Sequence, residues 1–117
     1  MTDTTAALPL IRDAASVELE DTGPLEEATG KEMKTSGLTL WEGPDDAEAG
    51  IWECTSGPSR WELDTNEFVH VLSGRMTVTR DGGSPVELGP GDTALFEKGW
   101  SGTWELQTTI RKLYVIF

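Results

Sequence analysis

From Gly37 onward, the chain consists of short runs in which apolar and polar residues alternate, and each run is interrupted by a turn signal such as "EGPDD", "DGGS" or "GPGD". Alternation places successive side chains on opposite faces of a strand, and it lacks the 3.6-residue period of a helix. We predict strands near residues 38–42, 50–55, 60–63, 67–72, 75–80, 85–88, 92–97, 102–106 and 110–117. Many short strands at this spacing predict an all-β sandwich or barrel of antiparallel strands.

One connection is predicted in more detail. In "RMTVTRDGGSPVEL", two alternating runs flank Asp81-Gly82-Gly83, whose residues tolerate a positive φ angle. This pattern indicates a β-hairpin.

Residues 1–36 differ from the rest of the chain. They hold eight of the 21 acidic residues and no aromatic residue. The stretch "AASVELED" at 14–21 alternates briefly, which predicts an edge strand, and the tail before it is expected to lack order. We therefore divide the chain into an acidic N-terminal segment, 1–36, and a barrel, 37–117.

The composition bounds both the setting and the partners. A chain of 117 residues fits one domain, and its net charge of −12 opposes binding to nucleic acid or to an anionic membrane surface. The single cysteine, Cys54, excludes an intramolecular disulfide. The sequence has no signal-peptide pattern and no apolar run of roughly 20 residues that could span a bilayer. We expect a cytoplasmic protein that binds neither nucleic acid nor membrane.

Two stretches carry a family resemblance. "EFVHVLSG", from Glu67 to Gly74, resembles the end of the first cupin motif, and "GPGDTALFEKG" at 89–99 resembles the second. With "GIWECTSG", "KGWSGTWE" and "RKLYVIF", the chain is similar to small single-domain cupins akin to the cupin domain of ureidoglycine aminohydrolase. The resemblance implies an antiparallel jelly-roll barrel (the RmlC-like double-stranded β-helix), often dimeric, with a pocket in its mouth.

Metal-binding cupins use two histidines one residue apart, a glutamate three or four residues later, and a histidine in the second motif. The glutamate position matches Glu67, and the second-motif histidine position holds Gly102. The two spacings place the histidine pair either on Trp61 and Leu63 or on Arg60 and Glu62. Three of the four ligands are therefore missing, and we expect no metal and no cofactor.

The only histidine, His70, does not replace a missing ligand in this scheme. His70 is three residues after Glu67, so the two side chains point to opposite faces of a strand unless a bulge intervenes. We expect His70 to face outward as a packing or dimer-interface residue. Glu62, Glu67 and Glu97 could still offer oxygen ligands to a weakly bound hard cation.

The two spacings also predict opposite pockets. In one register Arg60 and Glu62 point inward with Glu67, and the guanidinium could orient a carboxylate or ureido group. In the other, Trp61 and Leu63 point inward and the pocket is apolar. A mid-strand tryptophan slightly favours the second register, but the sequence leaves both open.

Aromatic residues could complete the pocket. Trp52, Trp61, Trp104 and Tyr114 could stack against a flat ligand, or they could fill a narrow barrel. On the last strand Lys112 shares a face with Tyr114, and that face borders either the pocket or solvent.

Three functions follow from this pattern. The first is a metal-free barrel, expected to be a homodimer, that binds a small polar metabolite through Glu67. The second is a metal-assisted, aminohydrolase-like or isomerase-like enzyme acting on a small ureido compound; the missing histidines weigh against it. The third is an interaction module whose barrel is filled by its own tryptophans.

Overall fold

The computed structural model of the chain describes residues 8–117 and contains ten strands in this range. The strands are β1 (Glu20–Pro24), β2 (Lys34–Glu42), β3 (Glu48–Cys54), β4 (Gly57–Glu62), β5 (Glu67–Ser73), β6 (Met76–Arg80), β7 (Pro85–Leu88), β8 (Thr93–Phe96), β9 (Ser101–Leu106) and β10 (Ile110–Ile116). A short 3₁₀ turn, Pro44–Asp46, joins β2 to β3. Each predicted strand overlaps one of β2 to β10. None of the described residues forms a helix long and apolar enough to cross a membrane.

The strands form two antiparallel sheets. The larger has the order β1-β2-β3-β10-β5-β8, and the smaller has the order β4-β9-β6-β7. The predicted hairpin is β6-β7, in which Met76 pairs with Leu88 and Thr79 with Pro85. The all-β, antiparallel jelly-roll barrel predicted from the sequence is thus confirmed.

The N-terminal segment extends the larger sheet, although not where the alternation predicted. The edge strand β1 begins at Glu20, and residues 14–16 form a turn instead. The guanidinium of Arg111 donates hydrogen bonds to the carbonyls of Ala14 and Val17, at 3.0 and 2.9 Å, so these backbone groups are not available to a strand ladder.

The predicted boundary between residues 36 and 37 falls inside β2, and it stays a prediction. Just before β2, the side chain of Met33 is fully buried and joins the barrel core. Residues 1–7, which belong to the tail expected to lack order, lie outside the described residues.

The core lies between the two sheets. Its buried members come from β3, from β5 to β10 and from the segment before β2: Met33, Cys54, Val69, Val71, Met76, Val78, Leu88, Phe96, Trp104, Leu106 and Ile110. Alternate residues on each strand point inward, as in β5, where Glu67, Val69 and Val71 are buried. Burial of this face fixes the register of the strands, and the register in turn positions the polar residues of the interior.

An apolar row crosses the outer face of the larger sheet. Leu95 pairs with Phe68, Phe68 with Val115, Val115 with Ala49, and Ala49 with Trp41. Leu95, Phe68 and Trp41 are exposed. A row of this kind is compatible with the homodimer expected from the sequence, and the dimer stays a prediction.

The glycine that ends the first motif provides a test of this architecture. Gly74 has φ +89°, and a Cβ atom there would lie 2.1 Å from the carbonyl oxygen of Thr109. Gly82, in the β6-β7 turn, has φ +77° and no atom within 4 Å of that position. We expect Gly74→Ala to lower the free energy of unfolding by more than ~3 kcal/mol, because the obstructing atoms are backbone. The matched Gly82→Ala change should cost only about 1–2 kcal/mol of backbone strain.

Urea unfolding followed by tryptophan fluorescence would measure both values. Equal losses for the two variants would contradict the close approach at Gly74.

Candidate functional site in the barrel mouth

The barrel mouth encloses a cavity of about 170 Å³. Its walls come from β3, β4, β5 and β10, and the lining residues are Trp52, Trp61, Glu67, Lys112, Tyr114 and Ile116. On β10 the inward positions alternate, which brings Lys112, Tyr114 and Ile116 to the same wall. The cavity therefore combines apolar and aromatic walls with one carboxylate and one ammonium group.

The polar centre of the cavity is a buried ion pair. Lys112 Nζ lies 2.8 Å from Glu67 Oε2, and the two side chains are 4% and 10% exposed. Glu67 is opposite Ile116 in the β5-β10 ladder, whereas Lys112 is opposite Val71. The two long side chains thus extend toward each other along neighbouring strands. Neither charge could be buried without the other, because an unpaired charge in such a place is strongly destabilising.

Two indole rings flank the ammonium group. Lys112 Nζ lies 4.4 Å from the ring centroid of Trp52 and 4.5 Å from that of Trp104. Both distances are within the range at which the negative face of an aromatic ring attracts a cation. The ammonium is therefore held by three groups, which are Glu67 and these two tryptophans.

Trp61 completes the aromatic wall, and its orientation settles the register that the sequence left open. Its ring stacks on Trp104 with 4.5 Å between centroids and an interplanar angle of 29°. Trp61 Nε1 donates a hydrogen bond of 2.8 Å to Ser59 Oγ, which in turn donates to the carbonyl of Trp104 at 3.0 Å. Trp61 thus points inward in a fixed position.

Arg60 and Glu62 consequently lie outside the cavity, contrary to the alternative register. Both Arg60 terminal nitrogens donate to Asp81 at 2.6 Å, in a bidentate pair on the protein surface. Their hydrogen bond lowers the pKa of Asp81 to about 2. Glu62 is exposed at the end of β4. The structure places neither residue among those that could contact a ligand in the mouth.

Tyr114, which lines the cavity, is hydrogen-bonded to a second carboxylate. Its hydroxyl donates to Glu48 Oε2 at 2.5 Å. Burial first, and then this hydrogen bond to a carboxylate, raises the pKa of Tyr114 well above its ordinary value of 10. The phenol therefore stays protonated at neutral pH and remains a donor to Glu48.

Two further polar groups are buried nearby. Burial raises the pKa of Cys54 to about 11, in spite of the opposing effect of Lys112. The thiol is thus protonated at neutral pH and does not offer a nucleophilic thiolate. Trp104 Nε1 is buried and has no hydrogen-bond partner among the described residues.

His70 lies on the opposite face of β5 from Glu67, as strand parity predicted. Its Nδ1 is 3.0 Å from Thr93 Oγ1. Glu62 and Glu97 are both exposed, and they do not converge with buried Glu67. Within residues 8–117, no group of three or more His, Cys, Asp and Glu side chains could hold a metal ion.

The residues at the cupin metal position do not fit a metal either. Trp61 and Gly102 occupy two of the histidine positions and offer no ligand atom of the required type. The one matching residue, Glu67, is already bonded to the ammonium of Lys112. We therefore assign no step of any reaction to a metal in this barrel.

Of the sequence candidates, four line the cavity: Trp52, Trp61, Glu67 and Tyr114. Trp104 packs against Trp61 and the Lys112 ammonium without lining the cavity itself. The sequence reasoning did not identify Lys112 as a site residue, although its shared face with Tyr114 was a signal. A lysine on a strand is usually solvent-exposed, and only the burial of this face shows otherwise.

Comparison with protein families identifies the family of this chain. The family model for the EutQ-like cupin domain matches residues 42–114, which include the ion pair and all the residues that line the cavity except Ile116. The chain belongs to the EutQ-like cupin family. The sequence matches none of the curated proteins.

Solved structures agree with this fold. A protein of unknown function of the DUF861 family from Pseudomonas syringae has a TM-score of 0.79 at 19% identity, over 88% of this chain and 46% of that one. This chain thus spans less than half of that protein. The Salmonella typhimurium putative ethanolamine utilization protein EutQ gives 0.66 at 24% identity, over 81% and 76% of the two chains. Clostridium difficile EutQ gives 0.70 at 18% identity, over 86% and 80%.

The ion pair makes a quantitative prediction. Glu67→Gln and Lys112→Met each leave one buried charge without its partner, so each should lower the free energy of unfolding by about 3–5 kcal/mol. The double variant should lose much less than the sum, because neither charge remains. Urea unfolding of the four proteins gives the coupling energy. Additive losses would show that the two groups do not interact.

The ion pair between Arg60 and Asp81 on the protein surface predicts a pH dependence of stability. In Arg60→Met, the pKa of Asp81 should rise from about 2 toward its ordinary 3.8. Since the folded-state pKa is depressed, the pair stabilises the fold above pH 3.8, and this contribution is lost as the pH falls toward 2. NMR titration of the Asp81 carboxyl carbon would measure the change. An unaltered titration would contradict the bidentate contact.

Proposed function

We propose that the chain binds a small, planar, uncharged molecule in the barrel mouth, one with an amide or ureido edge that offers a hydrogen-bond donor beside an acceptor. The observation that carries this proposal is the buried Lys112–Glu67 pair in an aromatic cavity. The ammonium donates and the carboxylate accepts. A carbonyl oxygen facing Lys112 and an N–H facing Glu67 would satisfy both groups at once.

Charge favours an uncharged ligand over an ion. Lys112 already neutralises Glu67, and Tyr114, which lines the cavity, is hydrogen-bonded to a further carboxylate, Glu48. An anionic ligand would approach two carboxylates, whereas a cationic one would approach a buried ammonium. An amide or urea adds no net charge to a site with little exposure to water.

The walls favour a flat and small ligand. Trp52 and Trp61 meet nearly edge to face, with an interplanar angle of 80° and 6.4 Å between ring centroids. Their rings, with Tyr114, provide apolar surfaces against which a planar group can pack. A cavity of about 170 Å³ is below the usual range for drug-sized ligands, and it suits a molecule of a few heavy atoms.

The narrower resemblance to ureidoglycine aminohydrolase is not supported by the comparisons, which give EutQ-like cupins; the ureido class rests on the donor–acceptor pair alone. The ethanolamine utilization named for one relative does not transfer at 24% identity. The metal-assisted enzyme lacks its ligands, and the homodimer and the cytoplasmic location stay predictions.

A matched set of small probes tests the proposal. Methylurea and acetamide are uncharged, while acetate and ethylammonium are charged molecules of similar size. We expect methylurea and acetamide to bind with Kd on the order of 1 mM, since so few atoms provide little binding energy. Titrations followed by NMR should shift the indole signals of Trp52 and Trp61. Trp41, exposed on the outer face, is an internal control.

Two variants complete the design. Trp61→Ala removes a cavity wall and should weaken methylurea binding by at least tenfold, whereas Arg60→Met, outside the cavity, should leave binding unchanged. Preferential binding of acetate or ethylammonium, or binding unaffected by Trp61→Ala, would contradict the proposal.

A further inference from the structure

We infer that Glu67, Trp52 and Trp104 form a binding site for a primary ammonium group, and that Lys112 fills this site with its own head group. The ammonium lies 2.8 Å from the carboxylate oxygen and 4.4 and 4.5 Å from the two ring centroids. A carboxylate together with aromatic faces is the chemistry by which proteins recognise free ammonium ligands. Here the ligand is attached to the chain.

The position of the Lys112 ammonium beside Glu67 corresponds to the place where metal-binding cupins hold their cation. Glu67 matches the glutamate by which metal-binding cupins hold their cation, while Trp61 and Gly102 stand where two of the histidines would be. The carboxylate has thus kept a cation as its partner, although the residues around it do not fit a metal. Lys112, only 3% exposed, supplies that cation from β10.

The ammonium group and the aliphatic stem of Lys112 contribute separately to the stability of the barrel. The stem packs in the barrel, as any unbranched apolar chain could. Only the ammonium can donate to Glu67 and carry a charge to the faces of Trp52 and Trp104. If these three groups form a true site, a free ammonium should occupy it when the lysine is shortened.

Chemical rescue tests this inference. Lys112→Ala removes the atoms of the side chain beyond Cβ, three carbons and the ammonium, and propylammonium has the same atoms. We expect the variant to be destabilised in sodium chloride. Propylammonium chloride at the same ionic strength should raise its unfolding temperature saturably, by roughly 4–8 °C. Wild type, whose site is full, should not respond.

Three controls separate the site from other effects. 1-Propanol has the same stem without the charge, and it should not rescue Lys112→Ala. Lys112→Met fills the space of the stem, so propylammonium should not stabilise it. Lys112→Ala/Glu67→Gln lacks the carboxylate and should lose the preference for propylammonium over propanol.

The outcomes are decisive even if Lys112→Ala is unfolded in salt alone. The titration is then followed by the near-ultraviolet circular dichroism of the buried tryptophans, and propylammonium should restore the native signal. Equal rescue by propanol, equal rescue of the double variant, or no rescue by propylammonium would overturn the inference. The rescue experiments use no methylurea. Their result therefore tests the ammonium site independently of the ligand proposed for the mouth.

Discussion

A carboxylate and an ammonium group face each other inside this barrel, and much of the surrounding structure can be understood from the need to keep them together. Removing both from water is costly, and only close pairing with additional favourable contacts compensates for that cost. Adjacent strands β5 and β10 bring Glu67 and Lys112 within 2.8 Å. Trp52 and Trp104 then cover the ammonium, and Trp61 stacks on Trp104. The ion pair and three tryptophans thus form one contiguous cluster at the base of the mouth.

The parts of this structure that the sequence predicted are those governed by local rules. Alternation with period two identified the strands from β2 to β10, and two glycines after Asp81 identified the β6-β7 hairpin. The same rule placed Glu67 and His70 on opposite faces of β5, and the cupin resemblance assigned Glu67 to the interior. Each of these inferences needs only neighbouring residues, because the direction of a side chain on a strand is set by the position of that residue within the strand.

The parts that could not be predicted depend on partners far apart in sequence. Lys112 and Glu67 are separated by 45 residues, and the residues next to Lys112 give no sign that it has a buried carboxylate as its partner. Arg60 could not be placed on the outer surface until its neighbour Trp61 was found stacked on Trp104 inside the barrel. The edge strand begins at Glu20 rather than nearer Ala14, where Arg111, from the other end of the chain, binds the Ala14 carbonyl. In each case contacts between residues far apart in the sequence, rather than local pattern, decide the outcome.

A lysine ammonium beside Glu67 offers a ligand different contacts from those of a metal ion. A metal ion offers open coordination positions, and it accepts any ligand of suitable size and charge. The ammonium of Lys112 offers one charge and three N–H groups, of which one is used by Glu67. Its remaining interactions are directional, and the aromatic faces of Trp52 and Trp104 already take up part of its charge. The proposed ligand, an uncharged molecule with an amide or ureido edge, would match one donor and one acceptor to this fixed pair. Under that proposal, the selectivity of the mouth would come from this match rather than from charge.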